Sequence, residues 1–191
     1  MYRVDPARSD ALLYVYREGT LAGFGHNHVI RVGDLVGLMH MSEDLSSARA
    51  DLAFSAAALE VDPPEARRSA GPDFATALTE TDVRKTRENM LGPRVLDAAN
   101  HPFVTLRVHL SERRGNTLHY LASITLKGVT HTYEGVAELS EGDDWLELTG
   151  TLSVSQGDFG MVPFSLLGGA LRVRDEVELR YRIHAAPFTD S

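Results

Sequence analysis

Phe103-Val104-Thr105-Leu106-Arg107-Val108-His109-Leu110 is the stretch that decides the fold. Successive side chains of an extended chain point to opposite faces, so Val104, Leu106, Val108 and Leu110 share one side and Thr105, Arg107 and His109 the other. The same period of two returns further along the chain. Leu118, Tyr120, Ala122, Ile124 and Leu126 oppose His119, Ser123 and Thr125; Leu146, Leu148, Leu152 and Val154 oppose Glu147, Thr149, Thr151 and Ser153; Val177, Leu179, Tyr181 and Ile183 oppose Glu178, Arg180, Arg182 and His184. Weaker alternation near 11–17, 29–41, 50–59 and 132–140 brings the count to about eight strands, each with one dry and one wet face, as in antiparallel sheets. Gly115-Asn116 and Gly142-Asp143-Asp144 stand between runs where hairpin turns belong, which predicts a meander of sequence neighbours.

Residues 63–100 break the pattern. Pro63-Pro64 opens a polar stretch. Thr79 with Asp82 three residues later resembles a capping box, Val83, Met90 and Leu91 recur at helical spacing, and Gly92-Pro93 is a stop signal. A second short helix is expected from Pro93, carrying Val95 and Leu96. The segment is too short and polar to own a core, so it reads as a helical excursion inside one domain spanning residues 1–191.

Eight half-wet strands bury their dry faces either as two stacked sheets or as a closed barrel, and closure also removes exposed edges. An eight-stranded barrel is just wide enough to fill itself with side chains or to hold one small ligand. Ala56, Ala122, Gly135, Ala137 and Gly150 lie on the apolar faces: they either leave enclosed space or each face a large residue across the core.

The formal net charge of -8, from 27 acidic and 19 basic residues, argues against phosphate backbones and so against nucleic acid as a partner. The absence of cysteine removes disulfides, thiolate metal sites and cysteine nucleophiles. Met1-Tyr2-Arg3-Val4-Asp5-Pro6 lacks the basic, apolar and small-residue succession of a signal peptide, so the expectation is a cytoplasmic protein, or a periplasmic or secreted one if a leader was removed.

Several stretches together resemble the YceI-like family of lipocalin-like barrels: Tyr2-Arg3-Val4-Asp5 followed by Ser9, Leu96-Asp97-Ala98-Ala99-Asn100-His101-Pro102-Phe103-Val104-Thr105-Leu106, Thr125-Leu126-Lys127-Gly128-Val129-Thr130, and Ser155-Gln156-Gly157-Asp158-Phe159-Gly160 with Val177 onward. Their order and spacing agree with the family over nearly the whole chain. The resemblance implies an eight-stranded antiparallel lipocalin-like barrel with a short helical insertion, binding an isoprenoid-type lipid or prenylated quinone along its interior. Gly23-Phe24-Gly25-His26-Asn27-His28-Val29-Ile30 departs from the better-known members, which have no paired histidines there.

His26 and His28 are spaced so that, on a strand, both rings face one way. Such a pair can share a divalent metal, with His101, His131 and Asp158 as distant further ligands, or form a hydrogen-bonded polar rim that meets a ligand's head group. Gly23-Phe24-Gly25 lacks the third glycine and following helix of a dinucleotide fingerprint. His109, His119 and His184 fall on wet faces and are expected in solvent. Pro163-Phe164-Ser165-Leu166-Leu167-Gly168-Gly169-Ala170-Leu171 is unusually apolar for a connection and reads as a flap at a barrel mouth, hinged at Gly168-Gly169. The ligand-binding candidates are therefore His26, His28, Phe24, Tyr120, Phe164 and Leu167, and the metal candidates His26 and His28.

No nucleophile-and-base motif occurs. The leading expectation is a carrier of a long apolar ligand, not an enzyme. A metalloenzyme using His26 and His28 at the barrel mouth is the second reading, and a filled barrel that works through its surface the third. A homodimer is left open.

Overall fold

The computed structural model describes residues 1–42 and 47–189. Among these, twelve strand segments form one sheet: β1 (Tyr2–Val4), β2 (Asp10–Glu18), β3 (His28–Val32), β4 (Val36–Met41), β5 (Ala48–Ser55), β6 (Leu59–Val61), β7 (Phe103–Arg114), β8 (Thr117–Leu126), β9 (Val129–Gly142), β10 (Trp145–Ser155), β11 (Ser165–Leu166) and β12 (Leu171–Pro187). Two α-helices, α1 (Pro64–Ser69) and α2 (Glu80–Leu91), lie between β6 and β7.

The segments make a closed antiparallel barrel of eight staves, three of them broken in two. β1 with β2, β3 with β4, and β5 with β6 are consecutive halves, and each half pairs with its own neighbour: β1 with β4, β2 with β3, β3 with β6, and β4 with β5. The meander continues from β5 through β7, β8, β9 and β10 to β12. Closure is made by β12, whose other edge takes β2 (Leu179 opposite Leu13) and then β1 (Tyr2 opposite Pro187).

The breaks have local causes. Between β3 and β4, Asp34 adopts a left-handed backbone (φ 51°), which a short polar side chain tolerates better than most. Between β5 and β6 a single 3-10 turn at Ala56–Ala58 interrupts the run, started by the Ser55 side chain accepting from the Ala57 amide. Lys127 and Gly128, both at positive φ, give β8 and β9 the tight hairpin that matches strand twist.

The helical excursion follows its sequence signals at α2 and departs from them on either side. Thr79 accepts from the Asp82 amide and Asp82 from the Thr79 amide, which completes the capping box. Residues 93–96 form hydrogen-bonded turns instead of the expected second helix; the Leu96 amide reaches back to the Met90 carbonyl, 3.0 Å. The helix that does occur, α1, carries Pro64 at its first turn and buries only Ala66, too little apolar period to be read in advance. Arg87 ties α2 to the barrel by donating to the carbonyls of Ala57, 2.7 Å, and Leu59.

One expected wet-face residue is buried. His109 is exposed and His119 partly so, but His184 is 2% exposed, because the outer face of β12 is covered there by Trp145, whose ring stacks on the imidazole at 5.8 Å.

Candidate functional site

The dry faces of the eight staves converge on a cavity of about 280 Å³. Alternation supplies its wall: Val104, Leu106, Val108 and Leu110 of β7 all line it, as do Val177, Leu179, Tyr181 and Ile183 of β12. Ala122 and Ala137 line it as well. Gly135 and Gly150 have another role. A Cβ at Gly135 would overlap the Tyr120 ring and one at Gly150 the Tyr181 ring, so these glycines seat two tyrosines of the neighbouring strands.

Among the described residues the lining is apolar except for Arg49, Gln156, Tyr120 and Tyr181. Arg49 is exposed and pairs with Asp51 at 3.1 Å, and Gln156 donates to the Arg174 carbonyl at 2.9 Å. The tyrosines meet each other: the Tyr181 hydroxyl donates to the Tyr120 hydroxyl at 2.9 Å. Burial pushes the Tyr120 phenol above its ordinary pKa, and burial together with its neighbour pushes that of Tyr181 up further, so both stay protonated donors at neutral pH.

Of the sequence candidates, Tyr120 lines the cavity, and His26, His28, Phe24, Phe164 and Leu167 do not. Phe24 (81% exposed) stands in a 3-10 turn and Leu167 (76%) in the connection before β12, with Phe164 also exposed. The 163–171 connection thus shows much of its apolar surface to solvent. It follows directly on Phe159 and Met161, which do line the cavity, and the Val162 amide donates to the Arg94 carbonyl at 2.8 Å.

His26 stands in the connection before β3 and His28 is that strand's first residue; their rings lie edge to face, 6.4 Å between centroids. His28 Nδ1 is 2.6 Å from Asp62 Oδ2. The other Asp62 oxygen accepts from Arg67 Nη1 (2.7 Å) and from the Val29 amide (3.0 Å), and Arg67 also donates to the carbonyls of Asn27, Phe74 and Thr76. Burial opposes ionisation of Asp62, but the hydrogen bonds from His28, Arg67 and Val29 outweigh it and hold the carboxyl below the usual aspartate range. With Asp62 ionised, His28 carries its proton on Nδ1 and donates it there. The network braces α1 and the following turn against the start of β3. Among the described residues no group of three or more His, Asp or Glu is arranged to hold a metal ion. His131 is exposed, and Asp158 is engaged by the Tyr133 hydroxyl at 2.8 Å.

Sequence reading did not single out Tyr181, Asp62 or Arg67. Tyr181 sat in plain view on an alternating face, and Asp62-Pro63-Pro64 after a strand is a turn signal in which an aspartate at positive φ (54°) is at home.

A closed antiparallel barrel with an apolar interior and a helical insertion between its third and fourth staves is the class this geometry defines. The chain belongs to the YceI-like domain family, whose model matches residues 2–185. No curated protein matches it by sequence. Among solved structures it is similar to Burkholderia cenocepacia BcnA (TM-score 0.70, 14% identity, 96% of this chain and 99% of that one). It is also similar to a polyisoprenoid binding domain from Saccharophagus degradans implicated in plant cell wall breakdown (TM-score 0.64, 12% identity, 97% and 98%) and to the Campylobacter jejuni YCEI protein (TM-score 0.60, 11% identity, 84% and 85%). At these identities the likeness is one of fold. Among the described residues no helix is long and apolar enough to cross a membrane.

Proposed function

We propose that the protein holds and carries a long apolar molecule, an isoprenoid-type lipid or a prenylated quinone, inside its barrel. The observation that carries this reading is the cavity wall: side chains from every stave, apolar at all but four positions among the described residues, around a space of about 280 Å³. Burial of apolar surface contributes about 25 cal/mol per Å², so a long hydrocarbon chain binds there with few polar contacts. Membership of the YceI-like family and the description of the Saccharophagus neighbour as a polyisoprenoid binding domain support the same class of cargo. The test is organic extraction of the purified protein followed by mass spectrometry. An isoprenoid lipid or quinone in stoichiometric amount is the expected result. A protein that yields no lipid and takes up none when long prenyl lipids are offered refutes the reading.

A further inference from the structure

Tyr120 and Tyr181 bring two hydroxyl protons into a cavity whose other polar lining residues, Arg49 and Gln156, are engaged by Asp51 and the Arg174 carbonyl. Their mutual hydrogen bond uses one proton. Whichever ring donates, the other proton has no acceptor among the described residues. A buried O–H left unpaired costs free energy, and Tyr120 is only 9% exposed. Phenylalanine at both positions would fill the same volume without that cost. The rings are held in place by Gly135 and Gly150, where any side chain would overlap them, so the hydroxyls are fixed features of the wall.

We propose that the spare proton of this pair is donated to a carbonyl-type oxygen at the polar end of the cargo, which is therefore an amphiphile bound with its oxygen inside the barrel. This rests on the cargo reading above. The cavity extends to both sides of the pair: Leu118, Leu148 and Ile183 line it toward the β7–β8 hairpin, and Ala122, Ile124 and Leu179 line it toward Met90, Phe159 and Met161 at the end that carries α2. The oxygen lies at the tyrosines.

The test compares two probes, a prenylated quinone and the isoprenoid hydrocarbon squalene, on the wild type and on Tyr120→Phe/Tyr181→Phe. Either single variant still leaves one proton, so the double variant is the informative one. Quinone affinity is expected to fall roughly 2- to 13-fold in the double variant, the loss of one neutral hydrogen bond, with squalene affinity unchanged. The carbonyl stretching band of bound quinone is expected at lower frequency in the wild type than in free quinone. An unshifted carbonyl band in the wild type, or an unchanged ratio of the two affinities in the double variant, overturns the proposal. Squalene uptake by the wild type without a tyrosine-dependent preference leaves the cargo reading standing and removes only the hydrogen bond. If the wild type takes up neither probe, both fall. Should the double variant not fold, the infrared band of the wild type decides alone.

Discussion

Ala122→Leu tests whether the barrel interior is cargo space. Ala122 is buried on β8, beside Val108 of β7 and Tyr133 of β9, and it lines the cavity. Leucine adds three carbons to the wall and displaces about three carbons of a bound chain. At about 0.8 kcal/mol per buried methylene the loss is about 2.4 kcal/mol, or about 50-fold in affinity. The folded protein itself should be little affected, because the added carbons enter space bordered by other apolar groups. Fluorescence-detected uptake of a polyprenyl probe gives the affinity, and a thermal melt of the lipid-free protein gives the stability. In a filled barrel the same substitution overpacks the core, costs about 1–3 kcal/mol of stability and lowers the melting temperature by several degrees. A stable variant with undiminished uptake, or a destabilised one with unchanged uptake, refutes the reasoning.

Gly135→Leu is expected to behave in the opposite way, destabilising by about 1–3 kcal/mol because its side chain overlaps the Tyr120 ring; a melt equal to the wild type would show that the ring is not fixed there. Asp62→Ala removes the carboxylate from the buried His28–Asp62–Arg67 network and is expected to cost about 3–5 kcal/mol in denaturant unfolding. Because the folded-state pKa of Asp62 is lowered, its contribution is fully present above the unfolded value and is lost as pH falls through the folded one. The gap between wild type and variant should therefore hold at neutral pH and narrow only below about pH 4; a gap that closes already at pH 6 contradicts the assignment. His184→Phe keeps the stack on Trp145 and removes two buried ring nitrogens that lack partners, so it is expected to stabilise by about 1 kcal/mol and raise the melting temperature by roughly 2–4 °C. A lower melting temperature would mean that the imidazole makes a polar contact through water.

The barrel was legible where alternation was unbroken. The four residues that periodicity groups on β7 are four residues of the cavity wall, and the long runs of β8, β10 and β12 follow the same rule because each has one face to bury and one to hydrate. Alternation could not show that three staves are broken, since a break of three to five residues leaves the period on either side almost intact. Nor could it assign His184, whose exposure depends on a ring from the neighbouring strand. The site was legible in part. Ala122 and Ala137 line the cavity while Gly135 and Gly150 border tyrosines, and a sequence does not say which small residue has a large neighbour across the sheet. His26 and His28 are sharp as a pattern, yet the partner that orients His28 is a carboxylate 34 residues away, brought to it by the β3–β6 pairing.

The distribution of polarity bears on how such a barrel would select its cargo. The Asp62 and Arg87 networks fasten the helical segment to the barrel, and the interior keeps two hydroxyls between its ends. Apolar burial rewards every methylene about equally, so chain length, and the space available to it, changes affinity in steps of about 0.8 kcal/mol per carbon. One neutral hydrogen bond contributes about 0.5–1.5 kcal/mol, no more than one or two such steps. A cargo two isoprene units longer, if it fits, therefore outweighs a better head group, whereas between chains of equal length the tyrosine pair decides. Selection in this barrel is ordered by length first and by the polar end second, and the residues that set the order are the small ones lining the cavity, Ala122 and Ala137, ahead of the pair that reads the oxygen.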